Sequence, residues 1–232
     1  MIKVENTEVV GFDHAIRGAR NPMNSWSRMD SVFGGKFSYG DQEVSFSIGP
    51  NDLDLMVRLR NAGSDHRKYL RMLTVYVDIT APLYWWKEFD TYKVGTTANS
   101  CSTMHKIHAK EFTLDDFSHE QLDNEETVWT DSDIGYYNAL DILGVMVEVL
   151  NCCRERYIKT KDKEYWWQMI QLLPTSYNQK RTVMLNYEVL TNMYHARRTH
   201  KLDEWHTLCD WIESLPYAKE LIVGDSEGKE RL

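Results

Sequence analysis

The stretch "MLTVYVDITAPLYWWKEFDTYKVGTTANSCSTMH", Met72 to His105, decides how the rest of the chain is read. Its opening, Met72 to Thr80, alternates β-branched and aromatic residues with polar ones and predicts a strand. Ala81-Pro82 closes that strand, and Pro82 opens a short helix through Trp85, Trp86 and Phe89. Proline suits a helix start because its φ is already helical and the N–H it lacks would have no partner there. From Thr91 to His105 the character changes: few large apolar side chains remain, and small or hydroxylated residues replace them. Two readings fit such a segment. It is a solvated surface loop, or it is a cradle whose small residues let backbone and hydroxyls approach a bound group.

Working outward, "IKVENTEVVGF" reads as an opening strand, and "GGKFSYGDQEVSFSIGP" as a hairpin with glycines at the turns. Gly49-Pro50-Asn51-Asp52 starts a helix that runs through "DLDLMVRLRNA" and ends at Gly63. Residues 112–133 are acidic and polar with weak periodicity and read as a mobile surface connection. After them the chain turns helical. Helices are expected from Tyr136 to about Tyr157, over "DKEYWWQMIQLL", from about Arg181 to Thr199, and from Leu202 to Leu215. Strands first and helices after, with no repeat or linker, predict a single α+β domain over residues 1–232.

Bulk properties narrow the function classes. The chain has 232 residues, 42% of them hydrophobic and 27% charged, with only five prolines, enough for a real core and against extended disorder. A net charge of −8 argues against binding nucleic-acid backbones through the bulk field. The longest apolar run, "ILGVMVEVL", is too short to span a bilayer, and the N-terminus lacks a signal-peptide pattern. A cytoplasmic protein with no membrane and no nucleic-acid partner is the expectation. Cys101, Cys152, Cys153 and Cys209 are sparse and form no C-x-x-C, which favours reduced thiols. His105-x-x-His108 lacks further ligands at metal-binding spacing and reads as a surface pair, so no metal is expected.

The order of segments from Leu53 to His105 resembles the centre of the flavin-dependent thymidylate synthases. In that family a strand ending in Ala-Pro leads into a helix and then the signature R-H-R-x-x-S-x-N-E-x-S-x-R. Here the R-H-R triplet falls on Thr91, Tyr92 and Lys93, and the first serine on Thr96. With one residue inserted, Asn99, Ser100 and Ser102 fall on N, E and S, and Met104 on the last arginine. A second block, "LLPTSYNQKRTVMLNYEVLTNMYHARRTHKLDEWHTLCDWI", is similar to the family's closing region through Leu173-Pro174, Asn186, Asn192 and Arg197. The two blocks cover roughly half the chain.

The resemblance implies an antiparallel sheet packed with helices, a homotetramer, and FAD as cofactor. It implies methylation of dUMP to dTMP, or a related reaction on a pyrimidine deoxynucleotide, with a folate carbon donor and NADPH where activity is retained. It assigns Ser102 and Arg197 to catalysis, and Tyr92, Lys93, Asn99, Asn186 and Asn192 to the flavin, with Lys68, in the turn before the strand, a further candidate for the flavin pyrophosphate. It assigns Glu88, Thr96, Ser100, Ser102 and Arg197 to the substrate. "GARNPM", around Arg20, is similar to an A-R-x-S element of the family.

The differences from the signature are concentrated in charge. Thr91 and Met104 replace arginines, Ser100 a glutamate, Glu88 a glutamine, and Ile170 a phosphate-side arginine, while "LDEW" replaces A-Q-x-E. A charge-assisted hydrogen bond contributes about 1.5–3 kcal/mol. A phosphate deprived of two binds roughly 10² to 10⁴ times more weakly. Two other classes therefore stand beside the enzyme: a non-catalytic nucleotide- or flavin-binding protein, and an interaction protein that keeps only the fold.

Overall fold

The computed structural model describes residues 2–39, 42–131 and 135–224. Strand β1 (Lys3–Val10) leads into helix α1 (Phe12–Arg20), then a hairpin of β2 (Val32–Tyr39) and β3 (Gln42–Ser47). Helix α2 (Pro50–Asn61), strand β4 (Thr74–Pro82), helix α3 (Leu83–Phe89) and strand β5 (Thr97–Ser100) follow. Next come a second hairpin, β6 (Thr127–Asp131) and β7 (Gly135–Asn138), and the long helix α4 (Ala139–Thr160). Helix α5 (Lys163–Leu172), strand β8 (Asn178–Asn186), α6 (Tyr187–Arg197) and α7 (Asp203–Ser214) complete the order. Both hairpins pair antiparallel, and a four-stranded sheet has the order β1-β4-β8-β5. The fold class is the α+β one expected.

The chain forms two compact units. The first comprises Met1–Lys3, Ile79–Thr91 and Asn99–Arg181; the second comprises Val4–Asp78, Tyr92–Ala98 and Thr182–Leu232. Four of the five divisions fall within β1, β4, β5 and β8, and the fifth, between Thr91 and Tyr92, in the loop after α3.

In the first unit, Ile107, Phe112, Phe117, Leu143, Val147, Leu150, Cys153 and Met169 form one buried cluster. Helix α4 starts where a capping box fixes it: Asn138 Oδ1 accepts from the Asp141 N–H, and Asp141 accepts from the Asn138 N–H. Residues Gly135–Asn138, expected as helix from Tyr136 on, are strand instead. Stretch 112–133 is also not the plain surface connection expected. Phe112 and Phe117 are core residues, Phe117 bridges to Tyr177, and Thr127–Asp131 pairs in a hairpin. Its acidic side chains hid the two buried rings from a composition-based reading. Ser132 and Asp133 of that stretch, and the Gly40 turn of the first hairpin, lie outside the described residues.

The first unit also holds α3. Trp85, Trp86 and Phe89 are buried, as core anchors. The Trp86 indole N–H donates to the Gln179 carbonyl at 2.9 Å, and the Arg181 guanidinium lies 4.1 Å from a Trp86 ring centroid. All four cysteines are free thiols.

In the second unit a charged pair is sealed in the interior. Arg20 Nε donates to Asp52 Oδ1 at 2.6 Å, with the two side chains 3% and 0% exposed. The other Asp52 oxygen accepts from the Asp30 N–H, the Ser31 N–H and the Ser31 hydroxyl. Burial alone would raise the Asp52 carboxyl, but hydrogen bonds from Ser31, the Asp30 backbone and Arg20 outweigh it and hold it below its ordinary value. The arginine of "GARNPM" is thus a structural residue of α1.

The helix expected from Arg181 is corrected at its start. Residues up to Asn186 belong to β8, where Val183 and Leu185 are buried on alternate positions. That period of two is short and preceded by Lys180-Arg181, so the helical pattern of residues 187–197 masked it in the sequence. Asn186 is extended (φ −139, ψ 168) and caps α6, its Oδ1 accepting from the Val189 N–H at 3.1 Å.

Candidate functional site

Helices α6 and α7 place Arg197. The connection between them is short, so the first turn of α7 returns to the last turn of α6. Three polar contacts fasten the pair. The Tyr194 hydroxyl donates to Glu213 at 2.6 Å, and Arg198 bonds Asp210 at 2.6 Å and reaches Glu213 at 3.5 Å. Burial, then the hydrogen bond to Glu213, push the Tyr194 phenol up to about 12, so it stays protonated and donating. Trp205, fully buried at the start of α7, then lies against the guanidinium of Arg197, 4.7 Å from ring centroid to Cζ.

The loop Tyr92–Ala98, in the same unit, supplies the other side. Arg197 Nε donates to the Tyr92 hydroxyl at 3.0 Å, and Arg197 Cζ lies 5.6 Å from the Tyr92 ring centroid. The Tyr92 and Trp205 rings meet edge to face at 6.1 Å. Two aromatic faces and one phenol oxygen therefore set the plane of a half-buried guanidinium.

Gly95 makes this loop possible. Its φ of +80° is the left-handed region, and a Cβ there would stand 3.0 Å from both Asn186 Nδ2 and Val189 Cγ2. The loop thus turns directly over the capped start of α6. Next to it, the hydroxyl oxygen of Thr96 is buried without a hydrogen-bond partner. Such a group is rare in a finished interior. It marks a place where the protein offers an unused donor and acceptor.

The structure brings together Tyr92 and Arg197, and sets Gly95 against Asn186. The expectation that Asn186 and Arg197 share one helix face is corrected: Asn186 precedes the helix and folds back over its N-terminus. Asn192 is exposed on α6, where its Oδ1 accepts from Arg67 at 3.4 Å. Arg67 is ion-paired with Glu188 at 3.0 Å, which answers much of its charge within the protein. Lys68 and Lys93 are exposed.

Glu88, Asn99, Ser100 and Ser102 lie in the first unit. The Glu88 carbonyl accepts from the Thr91 hydroxyl at 2.7 Å, which ends α3. Asn99 and Ser100 are exposed on β5, and the Ser102 hydroxyl accepts from the His105 N–H at 2.9 Å. That bond shapes the turn after β5 and gives Ser102 a local structural task. Among the described residues no group of His, Cys, Asp and Glu is arranged to hold a metal ion, and no helix is long and apolar enough to cross a membrane.

Trp205 is the residue that sequence reasoning missed. "LDEW" reads as a lost motif, yet the aromatic in the first turn of the second helix of a tight helical pair is the available signal.

These elements, a sheet with a short strand–Pro–helix unit, a small-residue loop and an arginine-ended helix, are those of the flavin-dependent thymidylate synthase fold, and this chain has that fold. It is similar to thymidylate synthase X (ThyX) from Helicobacter pylori, solved with FAD and dUMP, at a TM-score of 0.63 and 18% identity over 96% of this chain and 97% of that one. It is also similar to the UMP/dUMP methylase PolB from Streptomyces cacaoi bound with 5-Br dUMP, at a TM-score of 0.60 and 15% identity, covering 96% and 95% of the two chains. No protein-family model matches the chain, and no curated protein matches it in sequence.

Proposed function

We propose that this protein is a flavin-dependent, thymidylate synthase-like enzyme acting on a pyrimidine deoxynucleotide, by methylation of dUMP to dTMP or a related reaction. The observation that carries the reading is Arg197, its guanidinium fixed by Tyr92 and Trp205 beside a glycine-turned loop. A pyrimidine edge presents carbonyl and N–H groups in one plane, and a guanidinium held in a fixed plane matches it with little entropy lost on binding. FAD-bound and dUMP-bound neighbours of the same fold support the same ligands here.

The local chemistry suits a flavin in two respects. The orphaned Thr96 hydroxyl and the absence of a Cβ at Gly95 leave a polar, close-approach surface. Tyr92, Lys93, Lys68, Asn186 and Asn192 would hold the cofactor, with the lysines as point charges toward its pyrophosphate. A bound flavin supplies the hydride chemistry. Asn99, continuing the loop, would add to the flavin site, while Glu88, Thr96, Ser100, Ser102 and Arg197 serve the nucleotide. NADPH and a folate complete the reaction if turnover is retained. The exposed apolar residues Ile142, Val145 and Val149 on α4 support assembly with further copies of this chain, a homotetramer.

A second reading is favoured by a specific feature. Thr91 and Met104 stand at signature arginine positions, so the same scaffold would bind flavin or nucleotide without turnover. The visible absorption spectrum of the purified protein, before and after loading with excess FAD and removing free cofactor, tests both. Flavin retained in proportion to protein supports the proposal, and dTMP formation from dUMP then separates the two readings. A colourless protein that cannot be loaded leaves the fold standing and removes the flavoprotein.

A further inference from the structure

A cavity of about 410 Å³ lies wholly within the first unit, lined by His105, His108, Tyr157, Lys161, Lys163 and Trp166, with Met104 at its edge. The volume is within the range of small-molecule sites. Its composition runs against the rest of the molecule. The chain carries a net charge of −8, yet this cavity gathers two lysines and two histidines and no carboxylate.

The lysines are placed by the chain and not by ion pairs. Lys161 ends α4 in the left-handed region (φ 60), a conformation that few residues other than glycine or asparagine adopt, and Lys163 is the first residue of α5. The tight turn between the two helices therefore sets both side chains at one corner. Asp162, between them, caps α5, its carboxylate accepting from the Glu164 N–H at 3.0 Å. Among the described residues neither lysine forms a salt bridge. Lys161 Nζ sits 5.8 Å from the Tyr157 ring centroid and Lys163 Nζ 5.7 Å from that of Trp167. Ring faces orient an ammonium without neutralising it.

The aromatic walls are fixed too. The Trp166 indole N–H donates to the Met104 carbonyl at 3.0 Å. His108 packs edge-on to Tyr157 at 4.9 Å, and its carbonyl accepts from Arg154 Nε at 3.1 Å. His108 Nδ1 is buried without a hydrogen-bond partner, an unmet polar group beside the lysines.

We propose that this cavity binds a phosphate monoester attached to a planar ring, with Lys161 and Lys163 holding the phosphate and Trp166 flanking the ring. A mononucleotide has that chemistry. Naming the ligand a nucleotide rests on the function proposed above, whereas the anion and the ring rest on the cavity alone.

The test is calorimetric titration of the whole protein and of the Lys161→Ala/Lys163→Ala double variant with dUMP, uridine and phenyl phosphate, at low and raised salt. Both lysines are exposed, and a circular dichroism spectrum of the variant matching that of the wild type is the accompanying check on its fold. Expected are binding of dUMP and of phenyl phosphate to the wild type, weakening with salt, no comparable binding of uridine at the cavity, and a loss of about tenfold or more in phenyl phosphate affinity in the double variant. Phenyl phosphate binding lost in the variant while dUMP fails to bind upholds the cavity and overturns the nucleotide reading. Equal phenyl phosphate affinity in wild type and variant overturns the cavity, and dUMP binding that survives in the variant leaves the nucleotide reading at Arg197 intact. Failure of every phosphate ester to bind the wild type overturns the proposal.

Discussion

Two arginines of the second unit are held in opposite ways. Arg20 is sealed inside, facing a carboxylate whose two oxygens accept from Arg20, Ser31 and the Asp30 backbone. Arg197 is half-buried and laid against the rings of Tyr92 and Trp205, with the Tyr92 oxygen steering its Nε–H. The first arrangement exhausts the acceptor at the cost of desolvating both ions, which makes it a device for fixing one packing of α1 against α2. The second fixes the plane of a cation that still reaches solvent. The sealed charge builds structure, and the stacked one is the charge we propose for recognition.

The largest expected effect tests the sealed charge. Asp52→Asn leaves the Arg20 guanidinium buried beside a neutral amide and is expected to destabilise the fold by about 3–5 kcal/mol, read from urea unfolding. The pH dependence has a definite sign. Because the folded Asp52 carboxyl lies below its ordinary value of 3.8, its contribution is complete above that pH and is lost as pH falls through the depressed folded value. Wild-type stability should decline over that acid window, and the Asp52→Asn curve should be flatter there. An equally steep acid limb in the variant would place the titrating group elsewhere.

Arg197→Ala comes next and should invert the pattern. Loss of a charge-assisted contact predicts ligand affinity lowered about 10- to 150-fold, while unfolding free energy changes by no more than about 1–2 kcal/mol from the lost ring contacts. Titration with dUMP and FAD beside a urea curve measures both. A variant that binds normally but unfolds early would make Arg197 a second structural arginine and erase the contrast. Gly95→Ala is a smaller perturbation of the same corner. The left-handed φ costs about 1–2 kcal/mol for a residue with a Cβ, and the added atom presses on Asn186 and Val189. The loop should shift, with weaker ligand binding and a modest fall in Tm.

The contrast also explains what was legible in the sequence. Strand β4, the Pro82 start of α3 and the first hairpin were readable because alternation and turn residues are local signals. The capping role of Asn186 was not, because the strand before it and the helix after it share an apolar character that hides the boundary. Phe112 and Phe117 were masked by acidic neighbours, since composition averages over a window whereas burial is decided residue by residue. Of the candidate site, Tyr92 and Arg197 were found at matched positions, but their direct bond and the part of Trp205 depend on how α7 folds back on α6. Arg20 shows the converse. Its stretch showed only a similarity to a family element, and the distant Asp52 and Ser31 reveal a structural ion pair.

The smallest change, Tyr92→Phe, asks which half of the clamp orients Arg197. The ring remains, so the stacking is retained, and only the oxygen that accepts from Nε at 3.0 Å is removed. A single hydrogen bond at a half-buried position contributes about 0.5–1.5 kcal/mol net. Thermal stability should hardly move, and ligand affinity should fall by about threefold to tenfold as the guanidinium rotates within its stacked plane. Tyr92→Leu removes ring and oxygen together and should cost more. Equal affinity in wild type and Tyr92→Phe, with a loss only in Tyr92→Leu, would assign the orientation to the aromatic faces alone. A full loss already in Tyr92→Phe would assign it to the hydrogen bond, with Trp205 as a passive wall.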